Sequence, residues 1–324
     1  MRLFINFSFI LLLSIWLTAC TNNDYSSIIE EGSLAITVNI KDMTVSFINL
    51  DSQEKIDDWK MKKPYTGGLL LPDGDSLLLY GKQVETADIF SLSQGKEVDS
   101  WDIGKGVANA KLLNYGDEIV FADQAQNAVR FFTINGEEIG KVRTGRNPLT
   151  LLEGEEQDKL YVVSFNDEQL TVIDMRSKEK SFQFTIHPSA TGAILREEQN
   201  ELWIGGHGVG VDIESDIHVY DTENGKPKRD ISAPIMPINF VEEDDYIFVL
   251  SHGSSTLYKL DGEGKTIKTL KVGANPFDLS IITDQMVVAG YDSNDIHVIN
   301  TQTLEIQKTI KVGKGPFQII IRER

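Results

Sequence analysis

A single cysteine, Cys20, stands in the 324-residue chain. That scarcity excludes a disulfide framework and a Cys-rich metal site. Basic residues are the second shortage. Lys and Arg number 31 against 49 Asp and Glu, a formal net charge of −18. So acidic a chain repels phosphate backbones, which argues against a nucleic-acid partner. It also argues against docking on anionic lipid through a basic patch. The acidic excess otherwise reads as a solvated surface that resists aggregation. No segment sustains a helical period, so almost no helix is expected. Catalytic signatures are missing as well. There is no G-x-S-x-G, H-E-x-x-H or C-x-x-C-H, which leaves a nucleophile elbow, a zincin and a haem site without support. The segment "GEGKT" (262–266) lacks the P-loop glycine, because Lys259 stands in its place. The segment "GGHGVG" (205–210) lacks the glycine spacing of a dinucleotide site.

What is present is repetition. A turn followed by an apolar strand recurs at Pro64, Gly104, Gly145, Pro188, Pro234, Gly273 and Gly313, at intervals of 39 to 46 residues. A period near 40 built from short strands predicts one four-stranded blade per repeat of a β-propeller. Six units lie between Pro64 and Gly313. The seventh is split: "PFQIIIRER" begins a blade that residues 33–63 complete. The fold expected is all-β, a seven-bladed β-propeller closed by pairing of the C-terminal strand with the N-terminal blade.

Inside each repeat, two strands and their hinge keep a spacing of 14 residues, as from Leu160 to Asp174 and from Met286 to Asn300. One repeat departs. Leu202 to Asp221 spans 19 positions, and the extra residues lengthen the hinge that carries His207, Asp212, Glu214 and Asp216. Insertions in repeat proteins map to loops, often on a binding face. The acids alternate as in a calcium loop, but Ile217 stands where an EF-hand needs Gly, which excludes that motif.

The first 19 residues read as an address. Arg2 precedes the apolar run "LFINFSFILLLSIWL", which ends in "LTAC" at Cys20. A small residue before a Cys at the end of such a run resembles the bacterial lipoprotein lipobox. The resemblance implies cleavage after residue 19, lipidation of Cys20, and an extracytoplasmic, lipid-anchored protein at the cell membrane. Residues 20–32, polar and acidic, read as a flexible tether, with the propeller over 33–324.

The strands "LYVVS" (160–164) and "LTVID" (170–174), with the turns "VGANP" (272–276) and "VGKGP" (312–316), resemble the YVTN β-propeller repeat family. The resemblance covers roughly residues 33–324. It implies a bacterial envelope propeller and no particular reaction; relatives include lactonase-like and amine-dehydrogenase-like propellers.

Chain direction puts the blade-to-blade turns and the second-to-third-strand hinges on one rim. That rim collects the candidate ligand- or partner-binding residues His187, His207, Asp212, Asp216, His252, Tyr291 and Asp292, with Asn166 and Asp167. His187, His207 and His252 lie in turns of successive blades and offer imidazoles to Zn, Cu or Fe, or one serves as a base. Ordinary polar loop residues are the plainer reading, and the metal is left open. His218 and His297 occupy matching strand positions, which predicts a packing role between blades. The opposite turns, "SKEK", "ENGK" and "GEGK", read as solvated reversals.

The function expected is a binding or scaffold module of the cell envelope. Its partner would be an envelope protein, a glycan or a small molecule; it would meet the membrane only through its lipid and act as a monomer. No cofactor is expected, and a divalent cation held by the acids or histidines is left open. The alternative is a propeller enzyme, lactonase-like, lyase-like or an oxidoreductase subunit, with its site at the axial channel. No catalytic constellation is visible, which favours binding.

Overall fold

The computed structural model describes residues 24–323; the leader and Cys20 lie outside the described residues. Seven four-stranded antiparallel sheets form the blades of a propeller. Blade 1 holds residues 34–60 with Pro316–Arg322, and blades 2 to 7 span 67–102, 107–143, 148–185, 190–232, 237–271 and 276–311. In blades 2 to 7 the chain runs outward, from the innermost strand at the channel to the fourth at the perimeter. The only helical element among the described residues is a single turn at Glu197–Gln199. No helix there is long and apolar enough to cross a membrane.

Closure follows the expected scheme. Pro316–Arg322 is the innermost strand of blade 1 and pairs antiparallel with Leu34–Asn39, placing Leu34 opposite Arg322 and Ile36 opposite Ile320. The middle strands read as near-continuous buried runs, as in "EIVFAD" and "KLYVVS", because each is covered on both faces by neighbouring blades. The outer strands are mostly exposed and charged, as in "EKIDDWK", which keeps the perimeter wet. The core is therefore seven inter-blade clusters rather than one central mass.

Around the channel the inner strands are tied to one another at a single level. Asn109 Nδ2 donates to Leu149 O (2.9 Å), Thr150 Oγ1 donates to Thr191 O, and Asn239 Nδ2 donates to Asp278 Oδ1 (2.7 Å). Ile319 N–H donates to Asp278 Oδ2 (2.7 Å), and Gly68 N–H donates to Gln318 Oε1 (2.8 Å). Between blades 2 and 3, Ala110 N–H donates to Tyr80 Oη (3.1 Å). Blade 5 has Gly192 at this level, and a Cβ there would collide with Ile238 O of blade 6, so backbone approach replaces the side-chain tie. Every inter-blade junction is thus bridged by a polar tie or a bare backbone contact. Each such hydrogen bond contributes about 0.5–1.5 kcal/mol net, and more is lost if its buried partner is stranded.

A second regularity fixes the rim. The third residue of the third strand in each blade faces the loop that enters that blade. Gly313 N–H donates to Ser46 Oγ (3.0 Å), Lys63 Nζ donates to Asp88 Oδ2 (2.7 Å), and Arg130 donates to Ile103 O. Tyr258 Oη donates to Pro234 O (2.7 Å), and Gly273 N–H donates to His297 Nε2 (2.9 Å). Blades 4 and 5, with Thr171 and His218 at this position, lack such a bond to the loop.

Residues 24–30 do not hang free as a tether. Tyr25 N–H donates to Gly95 O (2.9 Å), Ile28 N–H donates to Leu92 O (2.8 Å), and Trp59 Nε1 donates to Ser26 O (3.1 Å). Tyr25 stacks on Trp59 with centroids 4.9 Å apart, and Ile28 is 2 % exposed within the cluster between blades 1 and 2. Burying one such isoleucine contributes about 1.5–3 kcal/mol, which adds to the Tyr25 stack and the backbone hydrogen bonds in offsetting the cost of ordering the strap. The polar composition of the segment concealed two anchoring side chains.

Candidate functional site

The expected rim exists, and its residues divide into separate groups. At the mouth of the axial channel, half-buried rings touch in series. His207 meets Phe165 (centroids 6.1 Å) and His252 (5.7 Å); His252 meets Phe277 (4.4 Å); Phe277 meets Tyr291 (5.1 Å) and Phe317 (5.0 Å). Below them lies a channel cavity of about 380 Å³, lined by His207, Phe277 and Phe317 and floored by Asn109, Asn239, Asp278 and Gln318. His207, His252 and Tyr291 were legible as rim residues. Phe277 and Phe317 were not, although "PF" recurs at the same repeat position in "NPFDLS" and "GPFQII".

The electrostatics of the mouth follow from enclosure. Burial holds the His207 and His252 imidazoles below the usual histidine range, so both are neutral near pH 7. His252 Nδ1 donates to Pro276 O (3.1 Å), which leaves its Nε2 as an acceptor. Asp278 sits deep in the channel wall, where desolvation pushes its carboxyl up to about 6. Its oxygens already accept from Asn239, Leu279 N–H and Ile319 N–H. The mouth therefore offers ring faces around a few fixed polar groups.

His187 belongs elsewhere. It packs against His218 with ring centroids 4.3 Å apart, in a pocket completed by Glu214, whose Oε2 lies 3.3 Å from His218 Nε2. His218 Nδ1 donates to Asp230 Oδ1 (2.7 Å) from the neighbouring strand. The expected packing role for His218 gives way to this polar cluster, while His297 at the matching position keeps a structural one, accepting from Gly273 N–H. The insertion supplies Glu214 because it folds into a hairpin, Gly208–Val209 against Asp212–Ile213. Asp212 points to solvent on that hairpin, and Asp216 starts the following strand, so neither joins the histidines. The hairpin tip is apolar and bare, with Val211 92 % exposed. Asp292 pairs with Lys41 (2.6 Å), whose ammonium lies 4.0 Å from the Tyr291 ring centroid. Asn166 and Asp167 line a lateral polar cavity with Arg146.

The opposite face holds more than simple reversals. Nine carboxylates, from Glu155 to Glu263, surround Arg196 in an open groove of about 730 Å³ beneath blades 4 to 6. Arg196 is already engaged by Glu242 (3.0 Å) and Gly262 O (2.8 Å), so the groove presents mutually repelling, solvated acids.

No protein-family model and no curated protein matches the chain. Solved propellers share its fold. A functionally unknown protein from Desulfotomaculum acetoxidans superposes with a TM-score of 0.73 at 10 % identity, over 90 % of this chain and 99 % of that one. Apo AztD from Citrobacter koseri gives 0.61 at 11 %, over 90 % and 97 %. Kuenenia stuttgartiensis hydrazine synthase gives 0.65 at 12 %, over 83 % and 89 %. At such identities the likeness is one of fold alone.

Proposed function

We propose that this chain is a lipid-anchored, extracytoplasmic binding module of the cell envelope, taking a small ring-bearing ligand at the mouth of its axial channel. The observation that carries this reading is a cavity of about 380 Å³ walled by His207, Phe277 and Phe317, rings that belong to a series running on through His252 and Tyr291 at the rim. That volume lies at the lower end of the range for small-molecule sites. Ring faces present a negative quadrupole that attracts C–H edges and cations, while Asn109, Asn239 and Gln318 sort hydroxyl patterns. The carboxylate-rich chain disfavours an anionic ligand. A mono- or disaccharide unit of an envelope glycan fits this chemistry.

The test is saturation-transfer NMR with a panel of neutral and amino sugars, followed by titration calorimetry. Phe277→Ala and His252→Ala should each weaken binding at least tenfold while thermal stability changes little. Sugar binding that survives both substitutions would place the site elsewhere. The enzymatic alternative rests on Asp278, whose carboxyl at about 6 lies in the range of a general acid or base. Its three accepted hydrogen bonds favour a structural tie. Turnover of a lactone or glycoside that Asp278→Asn abolishes would support the enzyme.

A further inference from the structure

The pocket beneath the blade 5 insertion breaks the pattern of its siblings. In blade 7, His297 Nε2 is satisfied by Gly273 N–H of the entering loop. The same loop position in blade 5 is His187, which brings a second imidazole where its sibling supplies a backbone donor. Neither His187 ring nitrogen makes a well-formed hydrogen bond, the Gly205 carbonyl lying beside the ring without completing one, and both nitrogens are shut off from solvent. Two stranded polar atoms on one ring are costly, and such a ring calls for an explanation. The insertion delivers a carboxylate to the same point. Ligand atoms of His187, Glu214 and His218 all lie within 4.8 Å of one another.

We propose that His187, His218 and Glu214 form a divalent transition-metal site, with zinc the best-fitting ion. Two imidazoles and one carboxylate are a recurrent three-ligand set for Zn²⁺, leaving a fourth position for water or a bound group. Imidazole donors select Zn, Cu or Ni over Mg and Ca. Bonds of about 2.0–2.2 Å require ligand atoms roughly 3.3 Å apart, so the site contracts when the ion enters. Asp230 supplies the supporting contact that such sites use. It accepts from His218 Nδ1, which fixes the tautomer and leaves Nε2 toward Glu214 and His187. Glu214 is itself positioned by the insertion: its N–H donates to His207 O (3.3 Å), and its carbonyl accepts from Met236 N–H (2.8 Å). The site is distinct from the channel mouth, and neither proposal needs the other.

The experiment titrates ZnCl₂ into untagged, EDTA-stripped full-length protein by calorimetry, with MgCl₂ as the control ion. One equivalent of zinc should bind, and magnesium should not. His187→Ala and Glu214→Gln should each weaken zinc affinity at least a hundredfold, and Asp230→Asn by about ten- to a hundredfold, as loss of a supporting ligand contact does. Asp216→Ala, two residues beyond Glu214 at the start of the next strand, should leave affinity unchanged. X-ray absorption of the zinc-loaded native chain should report two imidazoles and needs no variant to fold. No saturable zinc binding would mean that the pocket holds water, and would overturn the proposal. So would binding that persists in the His187→Ala/Glu214→Gln double variant, or that is lost instead in His207→Ala/His252→Ala.

Discussion

At the scale of single residues, Asp278 has the clearest dependence on conditions. Burial raises its carboxyl from the ordinary 3.8 to about 6 in the folded protein. Between those values the folded state holds a proton that the unfolded chain has released. Stability from this group is therefore full below about pH 4 and declines as pH rises to about 6. The asparagine variant cannot titrate. The gap in Tm between native protein and Asp278→Asn should thus favour the native protein more at pH 4 than at pH 7. A gap that stays constant across that window would mean that the carboxyl titrates as in water. Residue identity was the least legible level. The acids of the insertion are indistinguishable in composition, and only the hairpin register turns Glu214 inward while Asp212 faces solvent. Phe277 and Phe317 passed as strand residues because a ring beside a channel and a ring in a core look the same in sequence.

At the scale of elements, the spacing of 14 residues captured the second and third strands with their hinge, since register in a sheet buried on both faces tolerates no slip. The third-strand clasp escaped notice because Ser46, Asp88, Arg130, Tyr258 and His297 share a place and no chemistry. Closure was readable because the split repeat left half a blade at each end. Removing every residue after Gly313 takes away the inner strand of blade 1, including buried Ile319 and Ile320, and strips the Asp278 and Gly68 ties. The truncated chain should lose cooperative unfolding in a calorimeter, because a missing strand exposes two blade faces and an unpaired edge. A sharp transition within a few degrees of the native Tm would show that the ring does not depend on this closure.

At the scale of the whole molecule, the ring and its proposed address are separable. The fold stands on the described residues, while lipidation rests on Arg2, the apolar run and Cys20. Cys20→Ala should abolish incorporation of labelled fatty acid and leave the precursor unprocessed by the lipoprotein route. Labelling that persists would remove the anchor from the account.

Docking of residues 24–30 also sets how such an anchored ring could move. Only four residue steps separate Cys20 from Asp24, a reach of about 14 Å at full extension. The strap leaves the ring at the junction of blades 1 and 2. Blade 5 is three blades away from that junction in either direction. If Cys20 carries a lipid, a ring moored this closely keeps blades 1 and 2 nearest the bilayer and blade 5 with its inserted hairpin farthest along the ring. The bare tip of that hairpin, Val211, would then be the part of blade 5 most open to a molecule arriving from the aqueous side.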